Sequence, residues 1–144
     1  MRRKPMKVLL VATSLVVAGT ALPAMASPKD DLPRERTAVM GTDKVQRQQV
    51  YVGNYYYRPD QITVKVGQPV ELMFNIPDGV NKHTFVLFAP EAGLKINTAI
   101  SQRNNMVTFT PTKTGSYTFY CNHQAGFLRP HSEQGETGTL IVVD

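Results

Sequence analysis

From about Gln48 onward the chain reads as short apolar runs that alternate with polar residues, the period of a strand with one face buried. Val50-Tyr51-Val52 opens the series. Tyr55-Tyr56-Tyr57 follows and is closed by an Arg58-Pro59-Asp60 turn. Ile62, Val64 and Val66 alternate with Thr63 and Lys65, and Gly67-Gln68-Pro69 punctuates them before a second run, Val70 to Phe74. Asp78-Gly79 is a turn signal, and His83 to Phe88 is again β-branched and aromatic. Residues 90–103 lack strong strand character and fit a short helix or loop excursion. Val107 and Phe109, then Tyr117 and Phe119, resume the alternation on either side of Pro111–Gly115, and Thr139 to Val143 closes the chain. Seven or so short strands between turns predict an all-β sandwich or barrel. On this pattern Tyr55, Tyr56 and Tyr57 are alternating core and surface contacts of one strand, with an aromatic relay or docking patch as their other use. Met73 and Met106 are packing residues.

The N-terminus changes the picture of charge and compartment. Arg2, Arg3, Lys4 and Lys7 precede an apolar run from Val8 to Leu22, and Ala24-Met25-Ala26 supplies small residues at a cleavage site. That is the layout of a secretory signal peptide over residues 1–26, and the run is shorter than the ~20 residues of a membrane span. Residues 27–47 carry mixed charge without an apolar period and read as a flexible leader; 48–144 form one domain. The formal charge of +5 comes mostly from the export signal, because cleavage after Ala26 removes those four basic residues and no acid, leaving +1. The case for a nucleic-acid partner disappears with it. The expected compartment is the periplasm, with no membrane span after cleavage and a monomeric product.

The chemistry-bearing residues fall in two places. His83 opens a strand after a turn, whereas Cys121, His123, His131 and Glu136 share one loop between two strands. A single Cys excludes an internal disulfide and a Cys-paired zinc ribbon. An exported thiol is exposed to oxidants unless it is buried, paired or held as a metal thiolate. One thiolate with two imidazoles suits a soft-to-borderline transition metal, and two His, one Cys and a weak axial group make the blue-copper arrangement. No serine or acidic partner argues for a triad, and no strand-to-helix elbow argues for a Cys–His hydrolase.

These segments resemble the cupredoxins. Tyr120-Cys121 ends an alternating strand, a loop His follows, and then comes Gly135-Glu136-Thr137-Gly138-Thr139-Leu140-Ile141-Val142-Val143; ITVKVGQPVELMFNI followed by NKHTFVL is similar to the strand pair that leads to the family's first ligand His. The resemblance covers roughly 48–144 and implies a Greek-key β-sandwich, one bound copper, and His83, Cys121 and His131 as equatorial ligands. Two departures stand out. The Cys121-x9-His131 loop is longer than in plastocyanin and azurin, and Glu136 stands where the family's axial Met would fall. A carboxylate ligand favours Cu(II), lowers the reduction potential and shifts the site away from blue; alternatively Glu136 faces solvent. His123 has three readings: a surface or supporting group, a replacement for His131, or an additional ligand. Phe127, Leu128 and Pro130 are expected to surround the edge of His131 as a docking patch. The implied function is a one-electron carrier, not an enzyme, that works with redox partner proteins. The alternative is a copper binding and delivery protein that works with a copper acceptor. An open-site copper enzyme and a metal-free sandwich are less supported, and the ligand set alone accepts zinc as well as copper.

Overall fold

The computed structural model describes residues 28–77 and 82–144. The expected signal peptide and the Asp78-Gly79 turn lie outside them. Eleven strands form among the described residues: β1 (Glu35–Thr37), β2 (Val39–Met40), β3 (Gln46–Gly53), β4 (Tyr56–Arg58), β5 (Gln61–Lys65), β6 (Val70–Asn75), β7 (His83–Ala89), β8 (Leu94–Ile100), β9 (Met106–Phe109), β10 (Gly115–Tyr120) and β11 (Thr137–Val143). Single 3₁₀ turns lie at Pro28–Asp31, Pro90–Ala92 and His131–Gln134. No helix among the described residues is long and apolar enough to cross a membrane.

The strands make two sheets, in the orders β1-β5-β11-β10-β7-β8 and β2-β3-β6-β9, with β4 added on β3. The chain crosses repeatedly between them, so β3 pairs in parallel with β6 and β5 in parallel with β11. This is the all-β sandwich the alternation predicts. Val50, Val52, Ile62, Val64, Leu72, Phe74, Leu87, Leu140 and Val142 point inward from both sheets and are 0–3% exposed. Tyr57, Phe85 and Phe119 fill one end of this core. Phe119 lies 5.3 Å from each of the other two rings, edge-on to Tyr57 and tilted to Phe85.

Three expectations need correction. The flexible leader does not extend to residue 47. β1 pairs with β5 (Glu35↔Gln61, Thr37↔Thr63), β2 pairs with β3, and Ala38 is buried where the segment passes from one sheet edge to the other. Every β1 and β2 side chain is exposed. Backbone pairing and the Arg34–Asp60 ion pair at 2.9 Å therefore hold this segment, and neither leaves an apolar period in the sequence. Residues 94–100 are an edge strand rather than a loop excursion. Leu94, Ile96, Thr98 and Ile100 do alternate inward, but Lys95, Asn97 and Ala99 on the outer face are weak strand formers. Met73 and Met106 are cross-strand neighbours on an outer face, 50% and 52% exposed, and so are not core residues.

Gly138 in β11 sits over the Phe119 ring. A Cβ there would overlap the ring and approach the Asp60 carbonyl oxygen to 2.6 Å. Phe119→Ala should lower unfolding free energy by about 3–5 kcal/mol, and Gly138→Ala should destabilise through overpacking by about 1–3 kcal/mol. Urea unfolding of the metal-free protein checks both; a Gly138→Ala protein of wild-type stability would mean that the ring moves aside freely.

Candidate metal centre

The register of β10 on β7 places the site. Phe119 faces Leu87 and Tyr120 faces Val86, so the chain leaving β10 at Cys121 meets the chain entering β7 at His83. The β10–β11 ladder continues one rung past Tyr120↔Thr137, with the Cys121 N–H donating to the Glu136 carbonyl at 3.0 Å. The loop above that rung is tied to itself. The N–H groups of His131, Ser132 and Glu136 donate to the carbonyls of His123 (2.9 Å), Cys121 (3.0 Å) and His131 (3.0 Å). Gly135 caps the His131–Gln134 turn at φ 112°, a left-handed conformation that favours glycine and turns Glu136 back toward the core.

His83, Cys121, His131 and Glu136 converge as a result. One donor atom from each lies within 4.8 Å of all the others, and all four residues are buried. Glu136 is 0% exposed, and its Oε1 and Oε2 meet Nδ1 of His83 at 2.7 Å and Nδ1 of His131 at 2.8 Å. Cys121 Sγ lies 3.7 Å from His131 Nδ1. Both imidazoles thus turn the same nitrogen inward, while His83 Nε2 is buried without a partner. The sequence left two orientations open for Glu136; the structure turns it inward.

Neighbouring groups fix the Cys121 sulfur. The Thr84 N–H donates to Cys121 Sγ at 3.3 Å, and the Thr84 hydroxyl lies 3.5 Å from the sulfur while donating to Asn122 Oδ1 at 2.7 Å. The Asn122 N–H donates to that hydroxyl at 2.9 Å. Tyr57 donates to the Thr84 carbonyl at 2.5 Å. Burial, then the charges of Glu136 and Cys121, push its ionisation far up, so it remains a neutral phenol beside the site. The alternation in the sequence places Thr84 and Tyr57 in strands and assigns neither a contact with the metal donors. Their signal was present only in their position next to His83 and in register with Cys121.

His123 does not join the four donors. It stacks edge-on against His131 at 5.0 Å, half-buried, and burial followed by the charges of His131 and Lys82 lowers its pKa. Of the expected docking residues, Leu128 shares a cavity of about 140 Å³ with the His131 ring, together with Tyr55, Lys82, His123 and Arg129. Phe127 stands out into solvent and Pro130 precedes the 3₁₀ turn.

The donor set fits a metal. A thiolate and a carboxylate in a dry pocket would require positive charge beside them, which a bound cation would supply, or a protonated His83 in its absence. Burial pushes the pKa of His83 down, but hydrogen bonds to Cys121 and Glu136 and their charges outweigh it and raise it to about 9. A group raised from 6.5 to about 9 gives stability that is complete below 6.5 and is lost as pH rises through 9. Metal-free protein should therefore melt at progressively lower temperature between pH 6.5 and 9, while divalent-metal affinity climbs over the same window as the metal displaces protons. Calorimetry across that range tests both; a pH-independent melting temperature would mean that His83 is not protonated in the metal-free fold.

The comparisons with known proteins agree with this architecture. Residues 15–142 match the cupredoxin-like domain, a longer span than the 48–144 that the motifs covered. Plastocyanin of Dryopteris crassirhizoma is 31% identical over 101 residues, 63% of this chain and 91% of that protein. A mutant fern plastocyanin is similar in structure at a TM-score of 0.51 and 28% identity, over 67% of this chain and 100% of that one. The metal-binding domain of the Cu(I)-exporting P-type ATPase of Streptococcus pneumoniae D39 shares the fold at a TM-score of 0.55 and 20% identity, over 78% and 99% of the two chains. The chain belongs to the cupredoxin-like family.

Proposed function

We propose that this chain is a periplasmic mononuclear copper protein that carries single electrons at low potential. The observation that carries the reading is a donor set closed on all sides but one. His83 and Glu136 are 0–1% exposed and Cys121 is 0%, whereas His131 reaches the surface at 7%. Four protein donors satisfy copper and leave no coordination position that a substrate needs, which favours carriage over catalysis. His83, Cys121, His131 and Glu136 would hold the ion, and the ion would supply the one-electron couple.

Charge sets the direction of the potential. With Cu(II), one thiolate and one carboxylate, the buried site is neutral; with Cu(I) it carries −1. A buried net charge is unfavourable, so Glu136 stabilises the oxidised state. At ~4 Å and an effective dielectric near ~20, one charge is worth about 4 kcal/mol, or on the order of 100–200 mV. Electrons would pass through the exposed side of His131. Lys82 and Arg129 line its cavity with Leu128, so the partner that fits is a redox protein with an acidic rim.

Copper delivery is the second reading, and Glu136 is the observation that favours it, since an anionic oxygen holds Cu(II) firmly. Cu(II) titration with electrochemistry separates the two. A carrier should show an intense thiolate-to-copper band that Cys121→Ser abolishes, reversible reduction with the metal retained, and a potential that rises on the order of 100 mV in Glu136→Met. Release of the metal on reduction would favour delivery, and no uptake of Cu(II) would end the copper reading.

The surface makes a separate prediction. Replacing both Lys82 and Arg129 by Glu should slow electron exchange with an anionic oxidant such as ferricyanide by about tenfold or more at low salt, and the difference should shrink at high salt. Stopped-flow kinetics at two ionic strengths measure it; equal rates for the variant and the wild type would remove these residues from the docking face.

A further inference from the structure

The turn between β3 and β4 holds a residue that backbone sterics disfavour. Tyr55 has φ 64°, the left-handed region in which a turn ordinarily places glycine or asparagine. Burial does not explain the choice, because Tyr55 is 37% exposed. What its position achieves is contact with the metal centre at two points. The Tyr55 ring stands edge-on against the ligand ring of His131 at 5.1 Å and 89°. The Tyr55 carbonyl oxygen lies so close to Gly135 that a Cβ there would meet it at 3.2 Å. Gly135 in turn stands immediately before Glu136 and caps the turn that His131 begins.

We propose that Tyr55 is a positioning residue for the metal centre. It acts as a clamp from the opposite sheet that holds His131 and the Gly135–Glu136 corner in their ligating geometry, and the strained backbone is retained for that contact. The inference rests on the reading of these residues as metal ligands. His131 is the ligand that needs such support. His83 enters from a long strand, and Cys121 is fixed by the Thr84 N–H and the rung to Glu136. His131, by contrast, lies on no strand: its backbone is bonded to His123 and Glu136, but it begins a short 3₁₀ turn after an exposed loop, and its ring packs against the rings of Tyr55, His123 and His83. Supporting groups around a metal ligand commonly change metal affinity by ~10–100-fold.

Strain and function predict opposite signs, which makes the test sharp. Tyr55→Gly relieves the backbone and removes the ring; Tyr55→Phe keeps both the ring and the strain. Metal-free Tyr55→Gly should melt at the wild-type temperature or above. Its His131 ring-proton NMR signals should shift and broaden, because the neighbouring ring current is gone and the side chain is freer. The Cu(II)-loaded Tyr55→Gly protein should lose its metal to excess EDTA about tenfold faster than wild type, while Tyr55→Phe should match wild type in every measurement. Loss of Cu(II) at the wild-type rate with unchanged His131 signals would overturn the proposal. So would a lowered melting temperature with unchanged His131 signals, which would make Tyr55 merely structural. Should Tyr55→Gly fold poorly, Tyr55→Asn, which tolerates the left-handed region, takes its place. If wild type takes up no Cu(II), the metal reading fails on its own, and the His131 signals of the metal-free variants still decide whether Tyr55 positions that ring.

Discussion

A carboxylate buried to 0% exposure, with each oxygen on a different imidazole, is the interaction around which the site is arranged. Removing one ion from water costs several kcal/mol even after relaxation, a large share of the ~5–15 kcal/mol that stabilises a domain. Glu136 can stay ionised there only if positive charge stays with it. If Cys121 binds as a thiolate beside it, the pocket holds two anionic groups and needs a cation. A protonated His83 serves without metal, and a divalent ion would serve better. The geometry of His83, His131 and the 121–136 loop follows from that requirement, because each must keep a nitrogen within reach of one carboxylate.

The same requirement ties the site to the core. The Tyr57, Phe85 and Phe119 rings pack on one another, and Phe85 and Phe119 stand two residues along the chain from His83 and Cys121. Tyr57 holds the Thr84 carbonyl, and the Thr84 N–H holds the sulfur. A path of packed rings and two hydrogen bonds therefore runs from the centre of the sandwich to that sulfur. Tyr57 stays neutral because burial, and then the charges of Glu136 and Cys121, oppose its ionisation, so it gives the site a rigid wall without adding charge. Gly138 belongs to the same construction, since only the absence of a Cβ lets β11 lie flat on Phe119 while feeding Glu136 into the pocket.

Much of this was legible in the sequence wherever side chains carry the signal. The inward alternation along Ile62–Val66 and Tyr117–Phe119, and the cluster Cys121, His123, His131 and Glu136 between two strands, are local patterns. What escaped depends on distant partners. Residues 35–40 are held by backbone bonds to strands that come later in the chain, so their side chains show no period. Leu94–Ile100 alternates on one face only, and its outer face is polar. The direction of Glu136 depends on His83, 53 residues away, and on a glycine whose φ no propensity scale reports. Tyr55 is harder still: the sequence shows three consecutive tyrosines, and only the turn reveals that the first is not part of the strand.

On the carrier reading, holding a metal and admitting an electron place opposite demands on the pocket, and different residues would meet them. Glu136, Cys121 and His83 are sealed, so water cannot screen their charges or compete for a ligand position. His131 alone connects the site to the surface, and it sits in a short 3₁₀ turn rather than on or next to a strand. On the carrier reading, this is where rigidity matters most, because any movement of the one ligand that reaches the surface adds to the reorganisation that accompanies each electron. The rings of Tyr55 and His123 on either side of His131 address that weakness without closing its outer face. On the delivery reading the same residue would be the natural first ligand to leave, and those flanking rings would work against release. The way His131 is braced therefore argues, together with the self-bonded loop, for a metal that stays while the electron moves.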